Sequence, residues 1–303
     1  MNRLEATAYL APDGFLPQLT TELRGIEATH GRLVVARGPK QPAHWAQNTW
    51  LEPTVVKIAS IKDAARQLKA VQRNWWPYAA QLHRRTEHIQ KELPHVSAKA
   101  LAFPSVLPEA PLGSFMLLDE TTMLYSARCT SPFPNGEPAF EEFKVGPPSR
   151  AYLKLFEALT LLGVAPTAGE ICVELGASPG GWTWVIARLE ARVVAYDRAP
   201  LDPSVLAMAG VEGRVGDAFQ AKPALFPDGI DWLFSDIICY PEKLLEHVRL
   251  WLASGLCRNY VCTLKFQGDE HYAVTRDFAA IPGARVFHLA HNKHELTFAL
   301  VRG

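Results

Sequence analysis

Residues 171–182 read Ile171-Cys-Val-Glu-Leu-Gly-Ala-Ser-Pro-Gly-Gly-Trp182. A mostly apolar run enters Gly176, a small Pro- and Gly-rich turn follows, and an aromatic-rich run to Leu189 has helical character. This is a strand, a tight glycine loop and a helix start. Such a loop lets a ligand press against bare backbone, because glycine has no side chain to block it.

Working outward, helix and strand alternate from Ser149 onward. Ser149 to Leu162 is an amphipathic helix opened by Pro147-Pro148. Arg192–Asp197, Gly213–Asp217 and Ile230–Asp236 are further strands. A helix over Pro241–Ala253 precedes a strand over Asn259–Lys265. Ala284–Ala290 and Glu295–Arg302 form a hairpin around His291-Asn292-Lys293. Repeated βα units closed by a hairpin predict an α/β fold: a doubly wound, Rossmann-like sheet with one antiparallel strand.

In such sheets the ligand sits beyond the carboxyl ends of the strands. Asp197, Asp217 and Asp236 all end strands there. Asp197 lies 21 residues after Gly176, where a carboxylate accepts both hydroxyls of a ribose. Asp217 can accept from an adenine amino group. A dinucleotide is the competing ligand, but Gly176-Ala-Ser178-Pro179-Gly180-Gly181 is not G-x-G-x-x-G, and Pro179 removes a backbone donor that a pyrophosphate would want. S-adenosylmethionine carries no phosphate and fits better.

Four ionisable residues fall near that pocket: Lys154, Asp236, Lys265 and Glu295. Lys265 closes the apolar strand Val261-Cys-Thr-Leu-Lys265. A second cation at Lys154, with desolvation, is expected to lower an amine's pKa toward neutrality and let it take a proton from a hydroxyl. Each residue taken singly reads better as a surface or salt-bridging group.

Upstream, residues 4–10, 32–36 and 55–59 read as strands, with helices over Phe15–Gly25 and, capped by Ser60, Ile61 to Val71. This predicts a ferredoxin-like module over residues 1–60. Residues 57–99 hold nine Lys and Arg against three Asp and Glu, with Trp75, Trp76, Tyr78 and three histidines interleaved. Basic side chains with exposed aromatics suit single-stranded RNA; a solvated helix face over core tryptophans is the other reading. Strand-like runs over Gly113–Leu118 and Thr122–Ala127, then Pro132, Pro134 and Pro138, end an accessory region and linker over 61–145, leaving 146–303 for the α/β domain.

The chain of 303 residues, 48% apolar and with a formal net charge of zero, is long enough for two domains and does not announce a nucleic-acid partner by global charge. Five scattered cysteines without a CxxC pair argue against a disulfide framework or a zinc site and for a reducing, cytoplasmic compartment. Met1–Phe15 lacks a signal-peptide apolar core, and no run is long enough for a membrane span.

Ser149-Arg-Ala-Tyr-Leu-Lys154-Leu, the loop Glu-Leu-Gly-Ala-Ser-Pro-Gly-Gly-Trp182, Phe234-Ser-Asp236, Leu264-Lys265 and His294-Glu295-Leu-Thr together resemble the FtsJ-like S-adenosylmethionine-dependent RNA ribose 2′-O-methyltransferases. The resemblance is nearest to the RlmM-type branch, through Asp231-Trp232, Trp251-Leu-Ala-Ser-Gly-Leu-Cys257-Arg258 and the upstream stretch Tyr125–Phe133. It implies a Lys154-Asp236-Lys265-Glu295 tetrad with Lys265 as general base. It implies S-adenosylmethionine over Gly176, Ser178, Pro179, Gly180, Gly181 and Trp182, held by Asp197, Asp217 and Asp236 and touched by Ser149, with no metal. It implies a THUMP-like RNA-binding region, here shortened, and a cytidine of 23S ribosomal RNA as target. Glu174 stands where that family usually has aspartate, Ser178 replaces an alanine or cysteine, and Phe266-Gln-Gly-Asp replaces a more basic segment. The alternatives are a non-catalytic S-adenosylmethionine-binding assembly factor, which an incomplete tetrad would favour, and a base-nitrogen methyltransferase, whose Asn/Asp-Pro-Pro-aromatic motif is lacking at Asp236-Ile-Ile-Cys-Tyr-Pro241.

Overall fold

The computed structural model describes residues 2–268 and 272–302, so Asp269, the end of the last departure, lies outside the described residues. The chain divides into two compact units, Met1–Leu101 with Leu107–Ala139, and Ala102–Val106 with Phe140–Gly303.

The first unit contains β1 (Asn2–Arg3), β2 (Ala6–Leu10), α1 (Leu16–Glu22), β3 (Ile26–His30), β4 (Leu33–Arg37), β5 (Asn48–Trp50), β6 (Thr54–Lys57), α2 (Ile61–Val71), β7 (Trp75–Pro77), α3 (His83–Lys91), β8 (Gly113–Asp119) and β9 (Thr122–Ser126). One sheet has the order β3-β4-β2-β5 and is antiparallel throughout. That is the order of a split βαβ module, with a helix in its first crossover and none between β4 and β5. The second sheet has the order β1-β6-β9-β8-β7. The expected third strand of the first module is β6, and it belongs to the second sheet, pairing with β1 and β9. Its two faces are both apolar-covered: Val55 packs in the core between the sheets with Leu10, Val35, Trp50 and Met116, and Val56 packs under the helices.

The Ser60 hydroxyl accepts the Asp63 amide, so α2 starts where the sequence placed it. α2 and α3 cover the outer face of the second sheet through Leu68, Ile89, Phe115, Leu117 and Met123. Trp75 is 1% exposed in that core, its indole N–H bonded to the Leu68 and Gln72 carbonyls, and Tyr78 is 7% exposed, its hydroxyl accepting the Arg32 amide. Trp75 and Tyr78 are therefore core residues, which bears out for these two the reading of a solvated helix face over core aromatics rather than the stacking one. Burying a ring this size removes far more apolar surface from water than stacking one base would. The outer faces of α2 and α3 keep Lys62, Arg66, Lys69, Arg84, His88 and Lys91 in solvent.

The second unit contains α4 (Tyr152–Leu162), β10 (Ile171–Leu175), α5 (Gly181–Arg188), β11 (Arg192–Asp197), α6 (Pro203–Leu206), β12 (Val211–Val215), β13 (Ile230–Ser235), α7 (Pro241–Ser254), β14 (Cys257–Lys265), α8 (Val274–Ala279), β15 (Arg285–Phe287) and β16 (Glu295–Leu300). Its seven-stranded sheet has the order β12-β11-β10-β13-β14-β16-β15, and β16 alone runs against its neighbours. From β10 the chain steps one way to β11 and β12, and from β13 the other way to β14. Right-handed crossovers of opposite direction put α5 and α7 on opposite faces, which makes the sheet doubly wound. The central strands are apolar on both faces because both are covered. α4 and α7 stop at Gly163 and Gly255, whose positive φ a side chain would resist. Among the described residues, no helix is long and apolar enough to cross a membrane.

Candidate active site

The order of the sheet reverses between β10 and β13, and the candidate site opens above that switch point. Gly176 has φ +78°, and a Cβ there would lie 2.4 Å from the Ile237 Cα, so only glycine lets β10 pass the loop after β13. Beyond it, one Asp197 carboxylate oxygen accepts the Ser178 amide at 3.0 Å and the other the Ala199 amide at 2.9 Å, fixing the carboxylate at the end of β11. Asp217 accepts the Phe219 amide at 3.1 Å and caps a short 3₁₀ turn.

A cleft of about 530 Å³ is lined by Gly176, Ser178, Asp197, Asp217, Asp236 and Lys265, together with Phe219, Ile238, Tyr240 and Lys243. The other residues expected to touch the cofactor do not line it. The Pro179 carbonyl accepts the Asp202 amide, and Gly180, at φ +116°, is the N-cap of α5. A Cβ on Gly181 would meet the Ser149 Oγ at 2.6 Å. Trp182 is 2% exposed, its indole N–H on the Ala151 carbonyl. Ser149, Pro179, Gly180, Gly181 and Trp182 thus form the framework behind the loop. The chain turns into α5 at Gly181, and of the loop before it Gly176 and Ser178 face the cleft.

Lys154, Asp236, Lys265 and Glu295 come together from α4, the end of β13, the end of β14 and the start of β16. β14 and β16 are antiparallel, and their register sets Lys265 directly opposite Glu295. Lys154 Nζ donates to Asp236 Oδ1 at 2.9 Å, to Asp236 Oδ2 at 3.0 Å and to Glu295 Oε1 at 2.9 Å. Lys265 Nζ donates to the Asp236 carbonyl at 2.5 Å and lies 3.1 Å from Asp236 Oδ1. All four side chains are at most 19% exposed.

The two amines differ in what they have left to give. An ammonium has three donors. Lys154 spends all three on carboxylate oxygens. Burial, the largest influence, opposes its charge, but Asp236 and Glu295 together outweigh burial and hold its pKa above the ordinary lysine value. Lys154 is thus a cation whose charge is held by two carboxylates. Lys265 has two acceptors, both on Asp236, which leaves one direction of its nitrogen uncommitted among the described residues. Lys265 lines the cleft and Lys154 does not.

Two acidic side chains support this arrangement from behind. Glu174, mid-strand in β10 and 1% exposed, accepts the Thr183 hydroxyl at 2.6 Å; burial foremost, then Asp236 and Asp197, pushes its pKa up to about 8. Glu157, one turn after Lys154 on α4 and 1% exposed, accepts the Ala290 amide at 2.8 Å, the His291 amide at 3.0 Å and lies 2.7 Å from His291 Nδ1. It ties the helix carrying Lys154 to the loop leading into Glu295. Sequence reasoning missed Glu157; its spacing of three from Lys154 on one helix face was the available signal.

Residues 147–267 match the FtsJ-like methyltransferase family model. Ribosomal RNA large subunit methyltransferase M from Xanthomonas oryzae pv. oryzae is 33% identical over 191 residues, 57% of this chain and 53% of the relative. A relative of the same name from Azoarcus sp. is 35% identical over 190 residues, 59% of this chain and 50% of the relative. The chain thus spans about half the length of these curated relatives. In a further relative of that name, from Marinomonas sp., the match is 30% identical over 270 residues and covers 81% of this chain and 76% of the relative. The chain belongs to the RlmM-type branch of the FtsJ-like methyltransferases. Methyl donor in this family is S-adenosylmethionine. The chemistry of the cleft suits it: the anchored carboxylates of Asp197 and Asp217 can accept from hydroxyl and amino groups, and bare Gly176 backbone lies between them and Asp236.

Proposed function

We propose that this protein methylates a ribose 2′-hydroxyl of ribosomal RNA, a cytidine of the large-subunit RNA, using S-adenosylmethionine. The observation that carries the reading is the cluster of Lys154, Asp236, Lys265 and Glu295 at the open end of the sheet, with one amine saturated and the other facing the cleft. Asp197 and Asp217 would hold the adenosine, and Gly176 with Asp236 the amino-acid end. When bound, the cofactor supplies an electrophilic methyl group.

Lys265 Nζ takes the proton of the 2′-hydroxyl. As a neutral amine it keeps two N–H groups for the Asp236 carbonyl and carboxylate, and its lone pair occupies the remaining direction. Both lysines share Asp236 as a partner. Lys154 stays charged, holds Asp236 and Glu295 in place and offsets the negative charge that develops on the ribose oxygen. Positioning supplies most of the acceleration, since the reacting groups need only be brought into line. A methyl acceptor on RNA is also served by the exposed basic side chains of α2 and α3, which suit phosphate contacts.

The test uses 23S ribosomal RNA from cells lacking the protein and cofactor labelled on its methyl group. Lys265→Ala is expected to abolish transfer while calorimetric binding of S-adenosylmethionine stays within about twofold of wild type. The label in wild-type product is expected on the ribose of a single nucleotide after complete digestion. Label on a base, or full turnover by Lys265→Ala, refutes the reading.

A further inference from the structure

The loop joining β13 to α7 exposes apolar side chains where a polar loop would serve solubility better. Ile238 is 78% exposed and Tyr240 54% exposed, yet both line the same cleft as Lys265. The loop leaves Asp236 at the lysine pair and ends in the first turn of α7, where Lys243 Nζ lies 4.1 Å from the centroid of the Phe219 ring. Cys239, between the two exposed residues, sits within electrostatic reach of both Lys243 and Lys265, although burial dominates its environment. Ile238 and Tyr240 therefore form an apolar lip on the cleft that the Phe219–Lys243 pair and the Lys265 amine also line.

An apolar side chain as exposed as Ile238 gains free energy when something covers it. The carboxylates of Asp197 and Asp217 and the bare backbone of Gly176 account for the binding of a nucleoside cofactor, and the lip is not needed for it. A nucleotide reacting at its 2′-oxygen brings its base along, one glycosidic bond away. Unpaired bases offer flat faces that aromatic side chains stack against, whatever the base. We propose that Tyr240, backed by Ile238, is the stacking surface that seats the base of the nucleotide whose 2′-hydroxyl reaches Lys265. Tyr240 is in this sense a substrate-positioning residue. The proposal rests on the reading of the site as a ribose methyltransferase.

Steady-state methylation of 23S ribosomal RNA from cells lacking the protein tests it, alongside calorimetric binding of S-adenosylmethionine. Tyr240→Ala is expected to lower kcat/KM for RNA about tenfold or more, the size of losing one base–aromatic stack, with cofactor affinity within twofold of wild type. Tyr240→Phe keeps the ring and is expected to recover most of the loss, and Ile238→Ser to show a smaller loss of the same kind. Unchanged kcat/KM in Tyr240→Ala, a failure of Tyr240→Phe to recover, or a loss explained by weaker cofactor binding overturns the proposal while leaving the ribose reading intact. A wild-type protein that transfers no methyl to ribose removes both.

Discussion

Glu174→Gln separates a buried acid from a buried charge. Burial moves the Glu174 carboxyl from an ordinary value of 4.5 to about 8. That shift makes the ionised form about 5 kcal/mol costlier in the folded protein than in the unfolded chain. Below pH 4.5 both states hold the proton and nothing changes. Between pH 4.5 and 8 the unfolded chain has released it and the folded chain retains it, so stability falls as pH rises. Integrated from pH 6 to 9, the wild-type protein loses about 3 kcal/mol through this one group. Glutamine has the shape of the protonated acid and can still accept the Thr183 hydroxyl that Glu174 accepts. The variant is therefore expected to be more stable than wild type by about 2 kcal/mol at pH 6 and by about 5 kcal/mol at pH 9. Urea unfolding of both proteins at the two pH values measures this, and all other titrating groups cancel in the comparison. A stability difference that is the same at both pH values, within about 1 kcal/mol, refutes the account of Glu174 as a carboxyl kept neutral by burial.

Three further outcomes follow from the geometry. Gly176→Ala combines a positive φ with a Cβ 2.4 Å from the Ile237 backbone, so it should cost about 3 kcal/mol in urea unfolding and weaken S-adenosylmethionine binding at least tenfold by calorimetry. Lys154→Met leaves Asp236 and Glu295 close together without their shared cation and should cost about 3 kcal/mol of stability, with turnover reduced at least a hundredfold in the methylation assay. Glu157→Gln turns a donor toward the His291 amide and ring nitrogen; an expected loss of about 2 kcal/mol and a tenfold lower kcat, with unchanged cofactor affinity, would show that the tie between α4 and the β16 loop positions the lysine.

The strand, loop and helix at residues 171–182 were legible because fully buried parallel strands are continuously apolar and the loop needs glycine. The antiparallel last strand was legible from the turn at His291-Asn292-Lys293. The register that sets Lys265 opposite Glu295 was not, since no sequence periodicity fixes the pairing of strands joined through α8 and β15. β3 escaped notice because it is a largely exposed strand, Ile26–His30, without an apolar alternation. β6 was read as a strand but given to the wrong sheet: its partner β9 lies more than sixty residues downstream, and local sequence does not name distant partners. Trp75 and Tyr78 read equally as stacking or as core residues because composition is blind to which side of a strand faces the helices, and both lie in the core. Phe103 stacks on Phe156 with ring centroids 4.0 Å apart, so the short segment 102–106 joins the second unit, an excursion that five residues without periodicity could not announce. In the site, counting distances from Gly176 found the strand-end carboxylates, but only three-dimensional geometry distinguishes the amine with three acceptors from the amine with two among the described residues.

Because β16 runs backwards, its first residue lands where its neighbours end. In a wholly parallel sheet, Glu295 at the start of a six-residue strand would stand roughly 17 Å away from Lys265. Reversal also gives the site a place in time. Lys154 enters the ribosome's exit tunnel 141 residues ahead of Glu295, and α4 can form long before the strand that completes its ion pairs has been synthesised. Until β16 inserts between β14 and β15, Lys154 lacks one of its two carboxylate partners. The protein therefore acquires its complete set of charges only with its last strand, and an enzyme that modifies RNA gains nothing from its half-made form.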